Sequence, residues 1–285
     1  MKLLPLVFGI VVAAPGLASA AVVNIDFNYR ESNDPDPAPF TYSGLAAAPD
    51  SLSNTLWNSV RRTGSSSGFS SAAGVNGTIL KDSSGANTGI TVTVPSESNG
   101  GYAATASLGQ GKTAVDQEVG TAGVWQNLMG DYLQLEGPSP APGNPVAVVT
   151  AYGFIAGLTA GNSYDIYFYG QGESRDQNSS FAIRDSFGAT SSVVGTAEQT
   201  GWSSGSATDG QWTEGMEYVK LSAQADGSGR INFSWSNVVG AGDNGGANSR
   251  FAALNAMQIV SVVPEPSVAL LGMFGIGGFF VRRRR

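Results

Sequence analysis

The stretch GLTAGNSYDIYFYGQG, residues 157 to 172, carries the reading of the fold. It opens with a turn, Leu158-Thr159-Ala160-Gly161, and feeds a run in which Tyr164, Ile166 and Phe168 share one inward side. Alternation with period two marks a strand, because successive side chains of extended backbone point to opposite faces. The pattern recurs on both sides of this stretch. VVNIDFNY (22–29) sets Val23, Ile25, Phe27 and Tyr29 against Asn24, Asp26 and Asn28. ITVTV (90–94), VAVVTAYGFI (146–155), SFAIRDS (180–186), EYVKLSA (217–223) and RINFSWS (230–236) continue it, and FAALNAMQIV (251–260) reads as one last core strand.

Helical periodicity is weak between the two ends of the chain, while Gly and Ser cluster in GSSSGFSS (64–71) and GAGDNGGANS (240–249). WQNLMGDYL (125–133) reads either as a short helix or as a strand entry. Short strands at this density with polar turns predict an all-β chain, an antiparallel β-sandwich or jelly roll. No linker or repeat divides residues 21–261, so one domain is expected there. The turn at 157–164 resembles the "GL-x-x-G-x-x-Y" turn of fibronectin type III modules, and equally a strand of the galactose-binding-like jelly rolls found in exported bacterial proteins. A fibronectin module of about 90–100 residues would leave most of the chain unexplained, so the jelly roll is the better fit. That resemblance implies that the NIDF, YDIYFY and LNAMQI strands belong to one sheet system.

The first twenty residues, MKLLPLVFGIVVAAPGLASA, have one positive charge at Lys2, an apolar core from Leu3 to Ala14 and small residues before a break. This is the layout of a secretory signal peptide. Ala18-Ser19-Ala20 suits signal peptidase, with Ala21 as the first mature residue. The chain carries 15 basic and 22 acidic residues; without Lys2, Glu265 and the four terminal arginines, 10 basic residues face 21 acidic ones. That balance argues against nucleic acid as a partner, since phosphate backbones require clustered Lys and Arg. No cysteine is present, although export implies a compartment that permits disulfides. Stability must then come from a core. The absence of histidine excludes His-based catalytic triads and His-ligated metal sites, and no cofactor is expected.

The chain closes with VVPEPSVALLGMFGIGGFFVRRRR, residues 262–285. The 14 residues from Val268 to Val281 are uncharged; as a helix they would rise about 21 Å, against about 30 Å of hydrocarbon core. Leu270, Leu271, Phe274, Ile276, Phe279 and Phe280 supply most of their bulk. Arg282, Arg283, Arg284 and Arg285 can snorkel to headgroups, which extends the reach, and they hold that end on the cytoplasmic side. The two ends therefore agree on one topology, with the body outside. Pro264 and Pro266 fix φ and hold their neighbours extended, which suits a processing enzyme that grips exposed backbone. Val263-Pro264-Glu265-Pro266-Ser267, a Gly-containing apolar segment and a terminal Arg cluster together resemble the PEP-CTERM sorting signal of bacterial exported proteins. The resemblance implies a transient inner-membrane passenger, recognised by an exosortase and released to the cell surface or extracellular matrix, often in bacteria that make exopolysaccharide.

Of the five tryptophans, Trp235 alternates with Ile231 and Phe233 and reads as interior. Trp202 and Trp212 bound the Gly/Ser-rich loop GWSSGSATDGQW and are the candidates for stacking on sugar rings. Asp34, Asp36, Asp226, Asp243 and Asn244 offer oxygens in turns but form no spaced calcium loop, and they read as turn formers. Asp131 with Glu136, or Glu214 with Glu217, are carboxylate pairs of the type used in glycoside cleavage, a chemistry that demands a defined separation. The resulting expectation is a non-enzymatic exported protein of the envelope or matrix, structural or adhesive. The alternative is a carbohydrate-binding module acting on exopolysaccharide, and a third reading is a polysaccharide hydrolase.

Overall fold

The computed structural model describes residues 22–28, 40–42, 47, 55–61, 79–93, 107–111, 132–140, 142–143, 145–172, 174–201, 212–240 and 246–262. The leader, the sorting motif, the apolar run, the terminal arginines, Trp125, Trp202, Asp34, Asp36, Asp131, Asp243 and Asn244 lie outside them. Residues Ala21–Val262 form one compact unit. Its described strands are β1 (Val22–Asn28), β2 (Phe40–Tyr42), β3 (Thr55–Arg61), β4 (Thr91–Thr93), β5 (Ser107–Gly111), β6 (Tyr132–Glu136) and β7 (Thr150–Ala156), followed by β8 (Ser163–Tyr169), β9 (Ser179–Arg184), β10 (Val193–Gln199), β11 (Tyr218–Gln224), β12 (Ile231–Asn237), β13 (Phe251–Leu254) and β14 (Ala256–Ser261). A 3-10 turn at Ala247–Arg250 is the helical element among the described residues.

The chain is an all-β sandwich. One sheet has six strands in the order β11-β8-β14-β1-β3-β2, a second has five in the order β10-β9-β12-β7-β4, and β13-β6-β5 form a third of three strands. The NIDF and YDIYFY strands and the AMQI part of LNAMQI are neighbours in one sheet, with β14 between β8 and β1. Among the described strands, pairing is antiparallel except between β1 and β3, which run parallel. WQNLMGDYL ends in a strand entry, since β6 begins at Tyr132.

The core lies between the two large sheets, and alternation places it there. Val23, Ile25 and Phe27 of β1, Ile166 and Phe168 of β8, and Phe181, Phe233 and Trp235 of β9 and β12 form one buried apolar cluster. The Phe168 ring stacks on Phe181, with centroids 4.8 Å apart, and tilts against Phe233 at 5.2 Å. Gly153 faces Phe233 across the β7–β12 pair, and a Cβ there would run into the Phe233 ring. The turn before β8 closes through the Asn162 N–H to the Thr159 carbonyl, with Gly161 at φ 77°. The Tyr164 hydroxyl accepts the Thr159 N–H at 2.9 Å and ties that turn to its own strand.

One expectation needs correction: FAALNAMQIV is two strands in two sheets. Asn255 breaks it, because its backbone N–H goes to the Tyr169 carbonyl, its carbonyl takes the Phe27 N–H, and its side-chain oxygen takes the Gln171 N–H at 2.8 Å. Three bonds to three different partners turn the chain from β13 into β14.

Candidate functional site

The polar side of the six-stranded sheet positions the site. Because Tyr164, Ile166 and Phe168 point into the core, Asp165, Tyr167 and Tyr169 of β8 point outward. Antiparallel register sets Tyr218, Lys220 and Ser222 of β11 beside them, and Ala256, Gln258 and Val260 of β14 on the other flank. Farther along, the same face carries Asn24 and Asp26 of β1 and Trp57 of β3.

The middle of this face is filled by its own polar groups. The Tyr169 hydroxyl accepts the Ala47 N–H at 2.7 Å and donates to Gln258 Oε1 at 2.5 Å. Gln258 Nε2 donates to Asn24 Oδ1 at 2.8 Å, and Asn24 Nδ2 to the Leu56 carbonyl at 2.9 Å. The hydroxyl and each amide nitrogen of this relay donate to an acceptor, which allows Asn24, Gln258 and Tyr169 to be buried.

Toward the β11 edge the face becomes aromatic and partly open. The half-buried Trp212 packs perpendicular to Tyr169, with centroids 4.8 Å apart at 84°, and Trp57 meets the same ring at 6.3 Å. Tyr218 tilts against both Tyr167 and Tyr169 at 5.9 Å. Lys220 Nζ sits 5.9 Å from the Tyr167 centroid and 2.7 Å from Asp165 Oδ2, so these two charges offset each other. Trp212 is held by the turn that follows it: the Thr213 N–H donates to Glu217 Oε2 at 2.8 Å, the Met216 N–H to the Thr213 carbonyl, and Gly215 takes φ 83°. Burial, then the nearby carboxylates of Glu214 and Glu217, push the Tyr218 phenol above its ordinary value of 10.0. It therefore stays a neutral hydroxyl that can both donate and accept.

The other candidates separate plainly. Trp235 is fully buried, as its alternation indicated. Glu136 is bound by Arg250, whose Nη1 lies 2.7 Å from its Oε1. Glu217 is buried with Oε2 on a backbone amide, while Glu214 is exposed. Asp226 is a turn former: its Oδ1 takes the Ser228 N–H at 2.8 Å, the Ser228 hydroxyl at 2.7 Å and the Arg230 N–H at 2.9 Å. Among the described residues, no group of three or more acidic side chains is placed to hold a metal ion, and no helix is long and apolar enough to cross a membrane. The sequence singled out Trp212 as a candidate but not Tyr169 and Tyr218, which pack around it. The outward Tyr167 and Tyr169 of YDIYFY, large aromatics on what should be the polar side, were the signal.

No family model and no curated protein matches the chain. Among solved structures, the plant receptor-like kinase ANX2 is similar with a TM-score of 0.39 and 8% identity, over 86% of this chain and 49% of that one. The enzymatically active domain of bacteriophage CBA120 tailspike protein 4 has a TM-score of 0.23 and 11% identity, over 55% of this chain and 18% of that one. TmCBM61, solved with β-1,4-galactotriose, has a TM-score of 0.23 and 9% identity, over 60% of this chain and 83% of that one. The chain thus spans about half the length of the first of these and less of the second.

Proposed function

We propose that this chain is a non-enzymatic exported protein of the cell envelope or extracellular matrix, with an adhesive or structural role. Its leader carries it across the inner membrane. Its Pro-Glu-Pro segment, apolar run and Arg282–Arg285 hold it there for an exosortase and then release it. The observation that supports this reading is the agreement of both ends on one topology, with the sandwich as the exported body. Replacing Arg282–Arg285 by neutral residues should shift the protein between membrane, surface and medium fractions of its native host. An unchanged distribution, or intact unprocessed chain in the cytosol, would refute the role of the tail.

A second reading, glycan binding by the sandwich, is favoured by the rim at Trp212. The indole is half-open and fixed by Tyr169, beside a protonated Tyr218 and a charge-balanced Lys220–Asp165 pair. Aromatic faces stack on the C–H face of a sugar ring, and neutral hydroxyl and amide groups bond its hydroxyls. Such a rim suits a neutral sugar. Retention on the host exopolysaccharide that is lost in Trp212→Ala would support it; equal retention of wild type and variant would remove it.

A further inference from the structure

We propose that the outer face of the five-stranded sheet is a second binding site, shaped for a sugar chain that carries carboxylates, a polyuronate. Register sets Val193, Arg184, Asn232, Phe154 and Thr93 in a single row across β10, β9, β12, β7 and β4. Asn232 stands at the middle of that row, and cations flank it. Arg184 lies across the sheet with Cζ 5.5 Å from the Tyr152 centroid, its Nε donating to the Ser234 hydroxyl at 2.8 Å and its Nη1 to the Ser191 carbonyl at 3.0 Å. Arg230, two residues before Asn232 and so about 6.6 Å along the strand, lays its guanidinium on the Phe154 ring with Cζ 3.8 Å from the centroid. Both guanidinium groups are thus oriented before any ligand arrives, which lowers the ordering cost of binding.

Two features of this face point to a ligand. Asn232 is 7% exposed, yet its Oδ1 accepts no hydrogen bond. A buried acceptor without a donor is costly, and one set between two cations at a sheet surface is placed to receive a hydroxyl. The second feature is the lack of a close carboxylate partner, since Asp185 and Asp226 act on these arginines only at longer range. Neither Arg184 nor Arg230 forms an ion pair with a described carboxylate, although the chain holds 22 acidic residues against 15 basic ones. Their nearest acids in sequence are occupied by their own turns. Asp185 Oδ1 takes the Ser192 N–H at 2.9 Å and the Ser186 hydroxyl at 3.0 Å, and Asp226 takes Ser228 and the backbone, not the guanidinium, of Arg230. A planar guanidinium fork matches a carboxylate, and the Asn232 oxygen demands a hydroxyl donor close beside it. A uronic acid unit carries both groups; sulfate carries no hydroxyl donor and a neutral sugar no carboxylate.

The test uses the full mature chain in mild detergent, with oligogalacturonate as probe, a neutral cello-oligosaccharide of equal length as control and sodium sulfate as competitor. Oligogalacturonate should bind, weaken as salt rises, and bind about tenfold or more weakly to Arg230→Gln, with the melting temperature of the variant within a few degrees of wild type. Asn232→Ala should also lose affinity, and Arg230→Lys should restore it only in part because an ammonium lacks the fork. Trp212→Ala should leave this binding unchanged, which separates the site from the Trp212 rim. The proposal is overturned by absent binding, by undiminished binding in both Arg230→Gln and Asn232→Ala, by equal affinity for the neutral oligomer, or by sulfate competing as well as oligogalacturonate itself.

Discussion

The outer faces of the two large sheets draw on similar residues, tyrosines, amides and serines, and arrive at opposite states. On the six-stranded sheet, Tyr169, Gln258 and Asn24 satisfy one another in the middle of the face, and among the described residues the Trp212 rim is the partly open part. On the five-stranded sheet, Arg184 and Arg230 lie on aromatic rings over an Asn232 whose side-chain oxygen meets no donor. The difference teaches that a polar outer face can be structural or receptive, and that residue type does not decide which. What separates them is the bonding of the central side chains, the Tyr169–Gln258–Asn24 relay on one face and the Asn232 oxygen on the other.

Replacing a large ring on each face should give the widest contrast. Trp57→Ala removes a fully buried side chain and should cost about 3–5 kcal/mol in chemical denaturation, whereas Phe154→Ala, at a half-buried position, should cost less than about 2 kcal/mol. Equal losses would break the contrast between the two faces. A smaller effect isolates the relay. Tyr169→Phe leaves both the Ala47 N–H and Gln258 Oε1 without their shared hydroxyl and should cost about 1–3 kcal/mol, while Asn232→Ala should stay within about 1 kcal/mol of wild type because that oxygen makes no bond.

Titration sharpens the picture at the rim. The Tyr218 phenol should ionise above 10.0 in a spectrophotometric titration, and Glu214→Gln should draw it back toward that value. Since its folded-state value is raised, the native state holds that proton more tightly; stability is full below 10.0 and falls as pH rises past it. The smallest effect belongs to the exposed turns. Hydrogen bonds from the Ser228 hydroxyl and the Arg230 N–H hold the Asp226 carboxyl below 3.8, and the Ser192 N–H and the Ser186 hydroxyl do the same for Asp185. Their stabilisation is present above 3.8 and lost as pH falls through the folded-state values, so Asp226→Ala should flatten the acid limb of the stability profile slightly.

Much of the sandwich was legible from period-two alternation, and each strand it revealed has one face in the core. The strands it missed explain themselves. In β3, Trp57, Asn58 and Val60 are all buried, so apolar and polar residues fall on both sides and no alternation survives. In β10 every residue is exposed, and VVGTAEQ carries no contrast to read. The Asn255 break was invisible because its cause lies in partners far off in sequence, Tyr169, Gln171 and Phe27. Trp212 was legible as a candidate from its loop, but the ring that fixes it comes from another strand. Arg230, Asn232 and Ser234 alternate openly in RINFSWS, yet only the register with Arg184 and Phe154 brings them together as a face.

The division of labour between the faces is tested most directly by side-chain NMR of the full mature chain, following the Asn232 carboxamide and the Arg230 and Arg184 guanidinium signals as oligogalacturonate is added. Shifts confined to those three residues and their row, with Gln258, Asn24 and Tyr169 unmoved, are the expected result. Shifts centred on the Gln258 relay, or none at Asn232, would contradict the account.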